Sequence, residues 1–246
     1  MSSPLHTTKS IILRAVKYGE TSLIVTAYTE LFGLQTYIVQ GVRTSSKKGS
    51  GKANYFQSGS MLELVVYHNE LKNLQRIKEF KWSYLYTDVF SNVIKNCVVL
   101  YMMELLLKCI KQPETNADLY LFVEDALMQL DKADEKITAS FAIFFALHFT
   151  SFFGFQINNE ELTSILDLQE GKFVNSYPQH AYYVDGKIAE QLFELLKVMQ
   201  PNELLEIAMN HLQRRAVLGS LETYYALHIS DFGKMKTLPV LQQVMG

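Results

Sequence analysis

The chain has 246 residues, of which 48% are hydrophobic and 20% are charged, and its formal net charge is −2. This composition favours one or two folded domains with a sizeable core and excludes a highly charged, disordered chain. The charge is unevenly distributed: residues 1–80 hold ten Lys/Arg and five Asp/Glu, and the remainder holds thirteen and twenty. Such a basic front is typical of nucleic-acid contact, although chance alone also produces uneven splits.

Cysteine usage and hydropathy favour a protein of a reducing compartment. Cys97 and Cys109 lie in apolar runs, which predicts buried thiols and not a disulfide scaffold. Met1–Thr8 is polar, so no signal peptide is predicted. Ile137–Phe153 is strongly apolar but shorter than the ~20 residues of a membrane-spanning helix, and we predict a core helix there.

The first 80 residues alternate with the period of β-strands. Leu23, Val25 and Ala27, for example, point to one side of a strand, and glycine-containing turns separate the runs. The predicted strands are Ser10–Val16, Thr21–Thr29, Leu34–Val42, Ser60–His68 and Lys72–Phe80. Five strands with short turns and one long loop predict an OB-type barrel, and an SH3-like barrel is the alternative that periodicity leaves open.

From Trp82 onward the apolar period changes to that of helices. The predicted helices are Val89–Ile110, Leu119–Leu130, Ala139–Phe153, Lys187–Met199, Asn202–Leu218, Ser220–His228 and a last turn at Leu238–Val244. Residues 156–185 show no clear period beyond a short helix after Asn159. The sequence thus predicts an α+β, two-domain chain, with an OB-fold domain at 1–80 and an all-helical domain at 81–246.

The long loop after the third predicted strand carries the first candidate site. Arg43, Lys47, Lys48 and Lys52 lie among Gly and Ser, and Tyr55 follows. Single-strand binding combines cations that neutralise phosphates with aromatic rings that stack on bases. The alternative is a solvated loop whose aromatic residues belong to the barrel core. The pattern at residues 46–53 departs from a phosphate-binding loop, which excludes a nucleotide-driven motor.

No metal-binding or catalytic motif is recognised. The two cysteines are about 18 Å apart along one predicted helix, too far to share a metal ion. The six histidines are scattered without helical pairing, and no catalytic arrangement can be argued from the order of the residues. An enzyme whose site is assembled from scattered acidic residues and histidines stays an alternative. Arg214 and Arg215 are interpreted either as solvated helix residues or as part of a pocket for an acidic peptide.

Several motifs in the first 80 residues resemble the amino-terminal domain of the bacterial recombination mediator RecO. They are Lys9–Arg14 (KSIILR), Tyr18–Ser22 (YGETS), Tyr28–Glu30 with Phe32–Gly33, and Gly41–Arg43. The similarity continues more loosely through Leu62–Leu64, Leu74–Glu79, Phe152–Phe155 and Leu227–Leu241. It covers most of the chain.

The resemblance implies an OB-fold followed by a helical domain, and a function in DNA repair and recombination. Members of this family bind single- and double-stranded DNA, anneal complementary strands and load RecA together with RecR and the single-strand-binding protein. The resemblance also implies a bacterial cytoplasmic, nucleoid-associated protein without catalytic chemistry or membrane contact. Many relatives carry a four-cysteine zinc module at about 156–185, where this chain has no cysteine, so zinc is expected to be absent.

Together, the resemblance and the local charge pattern give two sets of site residues. The expected DNA contacts are Arg14, Arg43, Lys47, Lys48, Lys52, Tyr55, Arg76 and Lys78. The expected contacts to the acidic tail of the single-strand-binding protein are Lys108, Lys111, Lys132, Lys136, Arg214 and Arg215. A protein-interaction scaffold without direct DNA contact is the alternative function.

Overall fold

The computed structural model describes residues 4–43, 51–158 and 163–244. The chain divides into two compact units, one formed by Met1–Thr87 with Ile110–Met128 and the other by Asp88–Cys109 with Gln129–Gly246. Residues 110–128 therefore fold with the first unit, although the sequence analysis placed them in the helical domain.

The first unit is built on a closed five-stranded barrel. Its strands are β1 (Leu5–Tyr18), β2 (Ser22–Thr29), β3 (Gly33–Val39), β4 (Met61–Tyr67) and β5 (Gln75–Tyr84). They follow the order β1-β2-β3-β5-β4, and β4 closes on β1. All neighbours are antiparallel except β3 and β5, which pair in parallel. This Greek-key order is that of an OB-type barrel, so the predicted fold class is confirmed.

The barrel interior follows the alternation seen in the sequence. Leu23, Val25 and Ala27 of β2 pack inside together with Tyr37 and Val39 of β3. The residues between them on β2 and β3 point outward and are half-buried. A 3-10 helix, Lys52–Phe56, lies between β3 and β4 and adds Phe56 to the core. Burial of these apolar side chains is the main driving force for closing the barrel.

β5 begins three residues later than predicted and continues to Tyr84. The reason is the buried side chain of Gln75, which donates to the carbonyl oxygens of Asn69 and Lys72 and accepts from the Asn69 amide. These bonds hold residues 69–72 in a turn and not in a strand. Leu74 is left 44% exposed outside the strand, which explains why its spacing from Ile77 broke the alternation.

Residues 110–128 cover part of the barrel exterior. The hydroxyl of Tyr28 on β2 donates to the carbonyl oxygen of Asn116 at 3.2 Å, and burial raises the pKa of Tyr28 to about 12. Lys9 on β1 forms an ion pair with Glu124 at 3.1 Å. Both contacts lie within the first unit, so the exterior of β1 and of the end of β2 is partly covered.

The second unit is mainly helical. The helices of the chain are α1 (Val93–Cys109), α2 (Ala117–Lys132, shared between the units), α3 (Glu135–Phe149), α4 (Gly186–Leu195), α5 (His211–His228) and α6 (Thr237–Val244). Two 3-10 helices, Thr150–Phe153 and Pro201–Glu206, follow α3 and α4. The stretch Glu135–Phe153 is apolar and long enough to cross a membrane, but two thirds of its most apolar window is buried, as predicted for a core helix.

The predicted break between Leu218 and Ser220 is wrong. α5 runs without interruption from His211 to His228. Asn210 and Gln213 form a reciprocal capping box at its start. The Asn210 side chain accepts from the Gln213 amide, and the Gln213 side chain accepts from the Asn210 amide, each at 2.9 Å. The helix therefore begins at His211 and not at Asn202.

A small sheet was not predicted from the sequence. It consists of β6 (Ile165–Asp167), β7 (Lys172–Val174) and β8 (Tyr183–Asp185) in the antiparallel order β7-β6-β8. It belongs to the second unit, which is therefore not entirely helical. The helix predicted after Asn159 begins at residues 159–162, which lie outside the described residues.

We expect Gly33 to be a critical position for the barrel. It opens β3 with a φ of +60°, and a Cβ there would clash with the carbonyl oxygen of Glu114. Gly19 has a similar φ of +56° but open space around it, and serves as the matched control. Gly33→Ala should lower the free energy of unfolding by roughly 2–3 kcal/mol and Gly19→Ala by about 1 kcal/mol. Urea unfolding measures both, and equal losses would contradict the packing of Glu114 on β3.

Candidate nucleic-acid interface

The exterior of β2 and β3 forms a continuous, half-buried surface, here called the outer face. It consists of Ile24 and Thr26 on β2, which pair with Ile38 and Thr36 on β3. Two hydroxyls and two aliphatic side chains give a surface that can contact both sugar and base. In OB-folds this exterior of β2 and β3 is the common position for binding oligonucleotides.

Two arginines flank the outer face. Arg14 on β1 pairs with Thr26, and Arg76 on β5 pairs with Ile38. Both side chains are exposed, and among the described residues neither guanidinium forms an ion pair. Exposed cations on either side of an apolar and hydroxylated strip are suited to contact the phosphates of a strand that crosses it.

The other predicted cations on the barrel have different surroundings. Lys78 is exposed, but its ammonium lies 3.2 Å from the Glu79 carboxylate. Arg43 is half-buried, and its guanidinium donates to the carbonyl oxygen of Gly19 at 3.1 Å, which ties the start of the long loop to the β1–β2 turn. Lys52 is exposed at the first position of the 3-10 helix. Lys47 and Lys48 lie outside the described residues.

Tyr55 does not present a free ring. It stacks on Trp82 with centroids 4.6 Å apart and meets Phe80 edge-on at 5.1 Å. These rings pack against the barrel core, so the alternative interpretation of this aromatic residue fits its surroundings better. Tyr18 is the last residue of β1, next to the β1–β2 turn, and its side chain is 56% exposed. It was not among the predicted site residues.

A cleft of about 490 Å³ opens on the outer face. Thr26 and Thr36 line one side, and the β4–β5 turn with Lys72 and the segment containing Lys111 line the other. Burial, and then the neighbouring His6, lower the pKa of His68 in its wall. The cations of the cleft near neutral pH are therefore Lys72 and Lys111, and the carboxylate of Glu70 lines the cleft beside them. Lys72 was missed because composition alone does not show that its turn faces β3.

The six residues predicted to hold an acidic peptide are divided between the two units. Lys111 belongs to the first unit, where it lines the cleft just described, and the other five belong to the second unit. Lys108 donates to the carbonyl oxygen of Phe232 and lies 5.1 Å from that ring. Their role in peptide binding remains a prediction.

The remaining candidates of this set have separate neighbours. The guanidinium of Arg214 donates to the carbonyl oxygen of Met209 at 2.6 Å, and that of Arg215 to Gln242 at 3.2 Å. Lys132 is exposed and lines a cleft of about 350 Å³ beside Pro201, and Lys136 is exposed. None of the other five predicted residues lines that cleft.

The comparison with known proteins gives the family. Residues 1–86 match the family described as "Recombination protein O N terminal", and residues 91–238 match "Recombination protein O C terminal". The chain belongs to the RecO family. Proteins named DNA repair protein RecO are similar over nearly the whole chain. The protein of Christiangramia forsetii is 36% identical, and the match covers 97% of this chain and 98% of the relative. The protein of Flavobacterium psychrophilum is 33% identical, with 96% of this chain and 98% of the relative covered. The protein of Bacteroides fragilis is 30% identical, with 98% of this chain and 99% of the relative covered.

The zinc module expected in many RecO proteins does not fit this chain. Its only cysteines, Cys97 and Cys109, lie on α1, and the described residues contain no group of three or more metal-binding side chains. The small sheet of β6, β7 and β8 occupies this part of the sequence and is held by hydrogen bonds. The buried Asp167 accepts from the amides of Gln169 and Glu170 at 2.8 and 3.0 Å and lies 3.4 Å from His180.

We expect Asp167, and not a metal, to stabilise this sheet. Asp167→Ala should lower the free energy of unfolding by roughly 1–3 kcal/mol, because two turn amides lose their acceptor. Glu170→Ala is the control, since this exposed neighbour forms only a 3.6 Å ion pair with Lys172. Thermal unfolding should be the same with and without an excess of EDTA. A chelator-induced fall in Tm would contradict this account of the sheet.

Proposed function

We propose that this RecO-family protein binds single- and double-stranded DNA across the outer face of its barrel. The observation that carries the proposal is that Arg14 and Arg76, on either side of that face, form no ion pair with any residue that the structure describes. Elsewhere on the barrel, Lys9 and Lys81 are neutralised by Glu124 and Glu63 at 3.1 and 2.8 Å. Arg14 and Arg76 differ from these two lysines in that their charge is available to phosphates.

Membership of the RecO family supports the finer steps of the proposed function. We propose that the protein anneals complementary strands and, with RecR, loads RecA onto DNA covered by the single-strand-binding protein. Its role would be to hold strands and partners without catalysing a covalent step, in the bacterial cytoplasm at the nucleoid. The basic residues of the second unit would contact the acidic tail of the single-strand-binding protein.

Annealing requires that two strands be held without being locked in place. Phosphate contacts from a few arginines and aliphatic contacts from Ile24 and Ile38 have this property, because neither reads a base edge. Binding of this kind tolerates any sequence and weakens steeply with salt. The outer face thus suits a protein that must act wherever damage occurs.

The test compares two double variants with equal loss of charge. Arg14→Ala/Arg76→Ala removes the unpaired cations, and Lys9→Ala/Lys81→Ala removes two cations that are already paired with glutamates. We expect the first to weaken binding of a labelled single-stranded oligonucleotide about tenfold and to reduce the slope of log K against log salt by about 1.4, as two phosphate contacts are lost. The second should change either quantity little. Fluorescence anisotropy at several salt concentrations measures both.

Equal effects of the two double variants would show that net charge, and not the outer face, governs binding. No binding by the unaltered chain at low salt would favour the alternative, a protein-interaction scaffold without DNA contact. A strand-annealing assay with the same variants then tests the next step. Annealing should fall in parallel with affinity if the outer face holds the strands.

A further inference from the structure

The second half of β1 extends the outer face by three exposed residues, here called the β1 row. They are Arg14, Val16 and Tyr18, which are two residues apart and therefore point to the same side of the strand. Arg14 pairs with Thr26 of the outer face. Val16, which is 44% exposed, pairs with Ile24 of the outer face. The β1 row thus places a cation, an aliphatic side chain and an aromatic ring in line beside the outer face.

The ring of Tyr18 is open to solvent at the end of this row. Tyr18 is 56% exposed, and the residue that pairs with it across the hairpin is Ser22, whose side chain is small. β3 ends at Val39, which pairs with Leu23, so no strand residue lies beyond Ser22. In the described part of the chain, no other aromatic ring contacts that of Tyr18. A flat ligand can therefore approach this ring.

The other Phe, Tyr and Trp side chains of the five barrel strands are placed differently. Phe80 and Trp82 pack with Tyr55, and Tyr28 and Tyr37 are buried. All of them are buried or half-buried, and they are Tyr28, Tyr37, Tyr67, Phe80, Trp82 and Tyr84. The exposure of Tyr18 is thus an exception among the aromatic residues of these strands, and packing of the barrel does not account for it.

Hydrogen bonds hold the turn that follows Tyr18. The backbone amides of Val42 and Arg43 both donate to the carbonyl oxygen of Thr21 at 3.0 Å. The guanidinium of Arg43 donates to the carbonyl oxygen of Gly19 at 3.1 Å. The end of β1 is therefore fastened to the segment after β3. A ring on such a support is ordered before a ligand arrives, which reduces the entropy that binding costs.

Arginines lie on both sides of the ring. Arg14 precedes Tyr18 by four residues on the same strand, which is about 13 Å at ~3.3 Å per residue. Arg43 is bonded to Gly19, the residue that follows Tyr18. Neither guanidinium forms an ion pair with a residue that the structure describes. Proteins that bind single-stranded DNA combine cations along the phosphates with an aromatic ring on which a base stacks.

We propose that Tyr18 stacks on an unpaired base of a strand whose phosphates contact Arg14 and Arg43, and that the barrel therefore binds single strands more tightly than duplex. The proposal rests on the DNA interface proposed above and adds the contact that distinguishes the two forms of DNA. Every base has a flat face, so stacking on Tyr18 requires no particular sequence. Inside a duplex both faces of a base are covered by its neighbours, and the ring has no base to contact. Pairing of two strands thus removes the base from Tyr18 and favours release of the annealed product.

The test compares three labelled ligands of equal length: oligothymidylate, a chain of abasic residues that keeps the phosphates without the bases, and a duplex. Tyr18→Ala should weaken binding of oligothymidylate about tenfold, as expected for the loss of one stacked base. Its affinity for the abasic chain and for the duplex should equal that of the unaltered chain. Fluorescence anisotropy at one low salt concentration measures all three affinities.

Two further variants at the same position separate the ring from its bulk. Tyr18→Phe keeps the ring and should bind oligothymidylate as the unaltered chain does, whereas Tyr18→Leu keeps an apolar side chain without a flat face and should behave like Tyr18→Ala. Tyr177→Ala is the matched control, since it removes a tyrosine that is 63% exposed in the second unit, and it should change none of the affinities. Equal losses of Tyr18→Ala for oligothymidylate and for the abasic chain would overturn the proposal, as would no loss for either.

The double variant Arg14→Ala/Arg76→Ala separates this proposal from the DNA interface on which it rests. It should weaken binding of all three ligands, because each of them carries phosphates. If it does so while Tyr18→Ala binds oligothymidylate as the unaltered chain does, the DNA interface stands and the stacking proposal fails. If the unaltered chain binds none of the three ligands, both proposals fail.

Discussion

The arrangement of the barrel exterior depends on one bulge in β1. The register of β1 against β2 shifts between Ile12 and Arg14, so one residue there has no partner. Side chains alternate along a strand, and without the extra residue Arg14 would point inward like Ile12. The bulge turns Arg14 out and lets Ala15 pack against the core. Hydrogen bonds fix it: Gly59 donates to the Ile12 carbonyl oxygen at 2.7 Å, and Ile12 donates to that of Ser60 at 2.9 Å.

In the structure, the uneven charge distribution of the sequence depends on which charged side chains form ion pairs. On the barrel, Lys9, Lys78 and Lys81 are paired with glutamates, whereas Arg14 and Arg76 beside β2 and β3 form no ion pair among the described residues. In the second unit, the excess of carboxylates includes Glu203 and Glu206, which have no cationic partner within the described residues. Because unpaired charges attract ligands more strongly than paired ones, the position of a few unpaired side chains matters more than net charge.

The sequence predicted what depends on local patterns and missed what depends on distant contacts. The alternation of β2 and β3 gave the barrel strands, and the helical period gave α1 to α3. The start of β5 depends on the side-chain hydrogen bonds by which Gln75 holds the preceding turn, and the start of α5 depends on the capping box of Asn210 and Gln213. The spacing of apolar residues shows neither of these polar contacts. The strands of the small sheet are three residues each, shorter than any period that can be recognised.

Composition also could not distinguish an aromatic ring that binds from one that packs. A tyrosine after a basic loop suits base stacking, but the ring of Tyr55 is already stacked on Trp82, 27 residues later in the chain. For Arg14 and Arg76 the sequence gives no sign that they lie near each other, since they are distant in sequence and no local motif joins them. They flank one surface only because β3 pairs with β5 in parallel at Tyr37 and Ile38. The nearness of these two arginines is thus a consequence of strand order, which no local motif in the sequence shows.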